Sequence, residues 1–305
     1  MLSYVLRRLY QGVFTFLGVS ALVFFMGRAT GDPIRLIVPE TATREQREEV
    51  RRQLGLDKPL LIQYGIFLGN LVKGDLGRSY LQREEVSKLV FSRIPATLEL
   101  ALLSIAISII VSIPLGIFVA LKRNTIWDLL VTTLSLIGQA TPNFWLGMIL
   151  IIIFAVELKW LPISGRGTFL HLILPSFTLA LGSSGYFTRL MRSSMLDVLG
   201  QDYIRTARSK GVTERLILVR HGLKNAMIPV ITMMGIQFGN ILTGAFIIET
   251  VFAWPGIGRL GVNSLFERDF PVIQGVIILS SAVFVLSNLL VDVLYSVLDP
   301  RIRLE

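Results

Sequence analysis

Between Ala96 and Leu121 the chain runs for 26 residues with a single charged side chain, Glu99. About 20 helical residues at 1.5 Å each cross the hydrocarbon core of a bilayer. Inside that core every backbone polar group must be satisfied internally, which leaves a helix as the form for one long apolar run. Similar runs recur, and they place six spans at about Leu9–Met26, Ala96–Leu121, Leu129–Val156, Phe169–Met191, Met227–Ile248 and Val272–Leu298. The third is interrupted at Gln139–Asn143 and the fourth contains Pro175. Only 17% of the 305 residues are charged, against about 25% in soluble domains. The expected fold class is therefore an all-α integral membrane protein with six transmembrane helices. Arg7 and Arg8 before an apolar run also describe a secretory signal, but no clean small-x-small cleavage pattern follows, and an uncleaved first span is favoured.

Net charge is +9, which in a soluble chain would point to nucleic acid. In a membrane chain, Lys and Arg gather in short cytoplasmic loops and set orientation. With six spans and the N-terminus inside, the short inner segments carry fourteen Lys/Arg and the two short outer loops only Lys159, Arg166, Arg259 and Arg268. Both termini are expected in the cytoplasm. The chain has no cysteine and only His171 and His221, so no metal site is expected. It has no GxxxxGK[ST] phosphate loop and no convergent Ser/His/Asp set, so no catalytic residue is assigned and ATP hydrolysis is not expected here.

The organisation reads as a first transmembrane helix (1–28), an external segment (29–95), a five-helix core (96–298) holding a cytoplasmic segment (192–225), and a short cytoplasmic tail (299–305). In the external segment Thr43-Arg44-Glu45-Gln46 has the form of a capping box, opening a charged helix that stops at Gly55. Pro59 suits the first position of a second helix. Its apolar stripe of Leu60, Tyr64, Phe67, Leu68 and Leu71 would lie on the membrane or on the spans.

The segment YIRTARSKGVTERLILVRHGLKN, Tyr203–Asn225, holds six Lys/Arg against one Asp/Glu. Orientation alone needs fewer charges. A DNA-reading hairpin needs polar side chains on the outer face of its second helix, whereas Val212, Leu216, Val219 and Leu223 form an apolar stripe there, widened by Ile217 and Leu218. Gly211 suits a left-handed helix end and Thr213 a following cap. A docking element for a cytoplasmic protein fits these features best, and no nucleic-acid partner is expected.

The run SSMLDVLGQDYIRTARSKG resembles the coupling segment, the EAA loop, of permease subunits from binding-protein-dependent ABC importers, in the oligopeptide, dipeptide, glutathione and nickel branch. HGLKNAMIPVIT, ETVFAWPGIGRL, TPNFWLGM and GDP…LGLDKPLLIQY…GDLGRS are similar to the same branch, so the resemblance covers nearly the whole chain. It implies a type I importer permease fold in a bacterial or archaeal cytoplasmic membrane. It also implies a second homologous permease subunit, two ATPase subunits that bind ATP and Mg, and an extracytoplasmic solute-binding protein. By the resemblance, Tyr203, Arg205, Thr206, Ala207, Lys210, Gly211 and Val212 make the ATPase contact. Arg205, Thr206 and Ala207 stand where the wider superfamily has Glu-Ala-Ala, and only the second Ala is kept. Arg205 then needs an acidic partner in place of the missing Glu.

The branch carries peptides, glutathione and nickel chelates, and a peptide or glutathione pore is the expected function, with a metal-chelate permease as the alternative. Gln139, Asn143, Gln237, Asn240 and Thr243 are candidate path residues, since intramembrane polar groups face a cavity or bond between helices. Glu249, Phe252, Trp254, Pro255 and Gly256 form a loop that either helps close the outer gate or anchors at the interface. A proton-coupled carrier would need ionisable groups near the midplane. Glu99, Glu249 and Asp292 all fall near span ends instead.

Overall fold

The computed structural model describes residues 2–29, 34, 38, 41–53 and 55–298, with side-chain surroundings for 7–29, 34, 38, 41–53, 55–242 and 245–289. The tail 299–305 and the side chains of Thr243 and Asp292 lie outside the described residues. Among those described, every regular element is a helix, apart from one isolated antiparallel bridge between Arg78 and Glu85.

The long helices are α1 (Leu2–Ala29), α5 (Ile94–Leu121), α8 (Phe169–Leu199), α11 (Lys224–Gly244) and α14 (Phe270–Leu298). Shorter ones are α2 (Arg44–Gln53), α3 (Leu60–Val72), α4 (Val86–Phe91), α6 (Ile126–Ala140), α7 (Asn143–Leu150), α9 (Asp202–Ser209), α10 (Glu214–Leu216), α12 (Phe246–Val251) and α13 (Ile257–Glu267). Four stretches are long and apolar enough to cross a membrane: Arg7–Ala29, Val86–Leu121, Glu214–Leu242 and Phe270–Leu289. The bent pair Ile126–Ala140 and Asn143–Glu157 makes a fifth if it is one span. The expected fourth span, α8, is long enough but falls short on hydropathy because Ser and Thr interrupt its apolar residues. The physical reason is its position. α8 packs on α5, α6, α7 and α11 and meets protein where an outer helix would meet lipid.

The α5–α8 pair is the spine of the fold. Ser104, Ser108, Ser112 and Gly116 recur every fourth residue of α5 and are all buried. Small residues at that spacing let two helix backbones approach closely in a membrane. The Ser108 hydroxyl lies 2.9 Å from the Ser104 carbonyl and 3.2 Å from the Ala180 carbonyl across the interface. A Cβ on Gly116 would lie 2.6 Å from Met191 Cβ and 2.8 Å from the Thr188 carbonyl.

Between the first two long helices the capping box is present. The Thr43 N–H donates to Gln46 Oε1 at 3.0 Å and the Gln46 N–H to Thr43 Oγ1 at 3.3 Å. Gly55 ends the turn at φ 65°. Pro59 is the residue before α3 and not its first helical position, a shift of one. α3 lies against α1: Tyr64 and Phe67 pack on Phe24, and the Tyr64 hydroxyl is 2.9 Å from Ser20 Oγ. The segment then folds back onto the start of α14. Asp269, buried, accepts a hydrogen bond from the Ser79 hydroxyl and others from the Tyr80 and Leu81 N–H groups at 3.2 and 3.4 Å. Burial pushes the Tyr80 phenol up from its ordinary value; Arg28 opposes that shift and Asp269 adds to it.

Candidate functional site

The interruption at Gln139–Asn143 is a sharp corner. Thr141 is extended, as the residue before a proline prefers, and Pro142 has no N–H to continue α6. α7 restarts at Asn143, bent by 101° from α6, and continues as a wider π-helical stretch over Ile151–Glu157. The corner opens a cavity of about 610 Å³ against α8 and α11. Gln139, Asn143, Gln237 and Asn240 all line it, with Ser183 and Tyr186 from α8. The Gln237 amide donates to Ser183 Oγ at 3.1 Å, so part of its polar capacity is used between helices. None of the lining residues carries a formal charge. Four of the five path candidates therefore share one wall; Thr243 lies outside the described side chains.

Below the cavity, α6 and α8 are joined by an ion pair that sequence reading did not single out. Asp128, nearly buried, accepts from Arg192 Nε and Nη2 at 2.6 Å each and from the Asn124 N–H at 3.0 Å. One turn before Arg192, Arg189 donates from Nη2 to Gln139 Oε1. Asp128 sits beside Trp127 in a sequence with no local sign of a partner 64 residues away.

The hairpin at Tyr203–Asn225 has the expected outline. α9 ends before Gly211, whose φ of 75° is the left-handed conformation that a side chain disfavours. Ile204 is fully buried, whereas Tyr203, Arg205, Thr206 and Lys210 are exposed, and Ala207 and Val212 are half-buried. The acidic group nearest Arg205 is its own neighbour Asp202 at 3.7 Å, with both side chains more than 80% exposed. Arg208 grips Glu214 through Nε and Nη2 at 2.7 and 3.2 Å, tying α9 to α10. Two local expectations change. Thr213 stands at the cap position without a side-chain hydrogen bond. The stripe of the second helix splits because Ile217–Leu223 is π-helical and not α-helical, which alters side-chain phase. Ile217 is buried while Leu216 and Val219 stay exposed.

The outer loop is a packed knot, which corrects the interfacial-anchor reading. Phe252 and Trp254 are 2% and 1% exposed, and the Trp254 indole N–H donates to the Ala96 carbonyl at 2.8 Å. Glu249 lies at a span end, as expected, yet is fully buried. Its carboxylate accepts from the Thr97 hydroxyl at 2.7 Å and the Arg259 N–H at 3.0 Å. The second contact caps α13, where a negative charge meets the helix dipole favourably. Gly256 is required by the same carboxylate, which occupies the space its Cβ would fill. Pro255 and Gly256 form the turn into α13. Glu99 pairs with Arg166 at 2.5 Å, and that guanidinium also lies 5.9 Å from the Trp254 ring.

The family description "Binding-protein-dependent transport system inner membrane component" matches residues 112–304, and its N-terminal companion matches residues 1–101. The chain is 47% identical over 304 residues to the glutathione transport system permease protein GsiC of Escherichia coli strain K12, covering 99% of both chains. The protein of that name from Salmonella paratyphi A is 46% identical at the same coverage. A chain of the inward-facing MetNI methionine ABC transporter superposes with a TM-score of 0.60 at 16% identity, covering 69% of this chain and 96% of that one. An amino acid ABC transporter crystallised with histidines gives 0.51 at 20% identity, covering 70% and 94%. The chain belongs to the binding-protein-dependent transport system inner membrane components, and is an all-helical permease subunit of an ABC importer.

Proposed function

We propose that this permease forms half of a peptide-conducting pore in a bacterial inner membrane, with glutathione among its substrates, and that the cavity at the α6–α7 corner is its share of the path. One observation carries the reading: amides from α6, α7 and α11 converge on one uncharged wall. Amides donate and accept in equal measure and so suit a peptide backbone. The wall has no His or carboxylate for a metal chelate to meet, and no carboxylate to relay a proton. The relatives' glutathione transport supports the same substrate class.

In this reading α8 is the sixth span and both termini are cytoplasmic. A second permease completes the pore, a binding protein delivers solute at the outer knot, and two ATPase subunits bind ATP and Mg. The exposed row Tyr203, Arg205, Thr206 and Lys210, with Ala207 and Val212 at its edge, docks on an ATPase. Buried Ile204 and the Arg208–Glu214 pair make the hairpin stiff enough to transmit a displacement. The outer knot around Glu249 holds the external ends of α5, α12 and α13 as one body.

The test is uptake of labelled glutathione into proteoliposomes holding the whole complex, with binding protein outside and ATP inside. Uptake should require both, survive collapse of the proton gradient and stop with vanadate. Uptake driven by a proton gradient without ATP would overturn the reading.

A further inference from the structure

We propose that Arg189 recognises a substrate carboxylate at the inner end of the cavity, so that the pore selects peptides by negative charge; this rests on the peptide-import reading above. Three other arginines hold a carboxylate through the same Nε/Nη2 edge: Arg166 on Glu99, Arg192 on Asp128 and Arg208 on Glu214. That planar fork matches two carboxylate oxygens. Arg189 presents the same edge half-filled. Its Nη2 donates to the single neutral oxygen of Gln139, and its Nε is buried with no partner. No acidic side chain pairs with it among the described residues.

Its position gives that vacancy a use. Gln139 lines the cavity, and Tyr186, one turn before Arg189 on α8, lines it as well. The wall itself is free of formal charge, and the Arg189 guanidinium stands directly behind it, joined to it through Gln139. An arginine inside a membrane protein normally faces a partner or a water-filled path. Arg192, one turn further on, has Asp128 and is neutralised; Arg189 is left for a mobile anion. A peptide carboxylate reaching the corner would displace the Gln139 oxygen and satisfy Nε and Nη2 together. Gln139 is then a neutral placeholder that holds the fork in register without trapping the substrate.

The experiment compares glutathione with its diamide, which lacks both carboxylates and keeps only the α-ammonium, in proteoliposomes of the complete importer, both at concentrations that saturate the binding protein. Arg189→Gln should slow glutathione uptake roughly tenfold, the loss of one charge-assisted contact, and change diamide uptake less than twofold. Arg189→Lys should recover part of the loss. Gln139→Glu, which places a carboxylate on the fork, should also slow glutathione selectively. Equal slowing of both peptides, or of neither, would overturn the proposal and leave the importer reading intact. A wild-type complex whose ATPase responds to the binding protein but which carries no glutathione would overturn both.

Discussion

The Glu249 carboxylate accepts a hydrogen bond of 2.7 Å from the Thr97 hydroxyl, 152 positions earlier in the chain. Together with the Arg259 N–H it joins the start of α5 to the start of α13 through one buried acid. Glu249→Ala leaves buried donors unmet and should cost roughly 3 kcal/mol, since each orphaned group costs about 1–3 kcal/mol. Thermal unfolding of the purified complex measures this. Gly256→Ala should be as damaging alone but add little in the Glu249→Ala background, where its Cβ has room.

Asp269 holds three donors of the Ser79–Leu81 turn. Asp269→Ala should loosen that turn and raise hydrogen exchange at Tyr80–Gln82 at least tenfold, while exchange in the α5–α8 pair stays unchanged, because local openings have their own free energies.

Tyr80 beside that turn has its folded-state pKa raised. A group shifted this way contributes stability that is complete below its unfolded pKa of about 10 and lost as pH rises through the folded value. Raising pH above 10 should destabilise the wild type more than Tyr80→Phe. Equal loss in the two proteins would contradict the assignment.

At Gly211 a Cβ would meet no atom within 4 Å, so its constraint within this chain is conformational. Gly211→Ala should cost about 1 kcal/mol in stability from the left-handed backbone. Gly211→Asp adds bulk and charge to the docking face as well. It should cut transport and stimulated ATPase activity by more than that strain explains. Normal transport and normal stimulation in Gly211→Asp would refute docking there.

The Asp128–Arg192 pair fastens the start of α6 to α8, with the side chains 9% and 26% exposed. Asp128→Ala leaves a guanidinium unmatched and should cost about 2 kcal/mol, below the ~3–5 kcal/mol of a fully buried pair because Arg192 is partly wet. Adding Arg192→Ala to Asp128→Ala should restore part of the stability, which a double-mutant cycle by thermal unfolding would read.

Much of this protein was legible without coordinates, because the bilayer is a demanding solvent. Lengths of apolar sequence, the capping box at Thr43, the corner at Pro142 and the turn at Gly211 depend on neighbours within a few residues. The polar candidates Gln139, Asn143, Gln237 and Asn240 were found because polarity is conspicuous among apolar residues. That they share one wall depends on a 101° bend and on how α8 and α11 pack, which no local pattern encodes.

Asp128, Thr97 and Asp269 passed unnoticed because each gains its meaning from a partner at least 64 residues away. The inward packing of the aromatic loop has no local sign for the same reason. Phe252 and Trp254 suit an interface by amphipathicity, but a carbonyl on α5 and the pocket around it drew them inside. By itself the sequence determined which segments must be helices, since a long apolar run has to satisfy its own backbone in lipid. Tertiary structure alone decided which charges are neutralised. That balance, paired at Arg192 and half-filled at Arg189, is a matter of distance between atoms far apart in the chain.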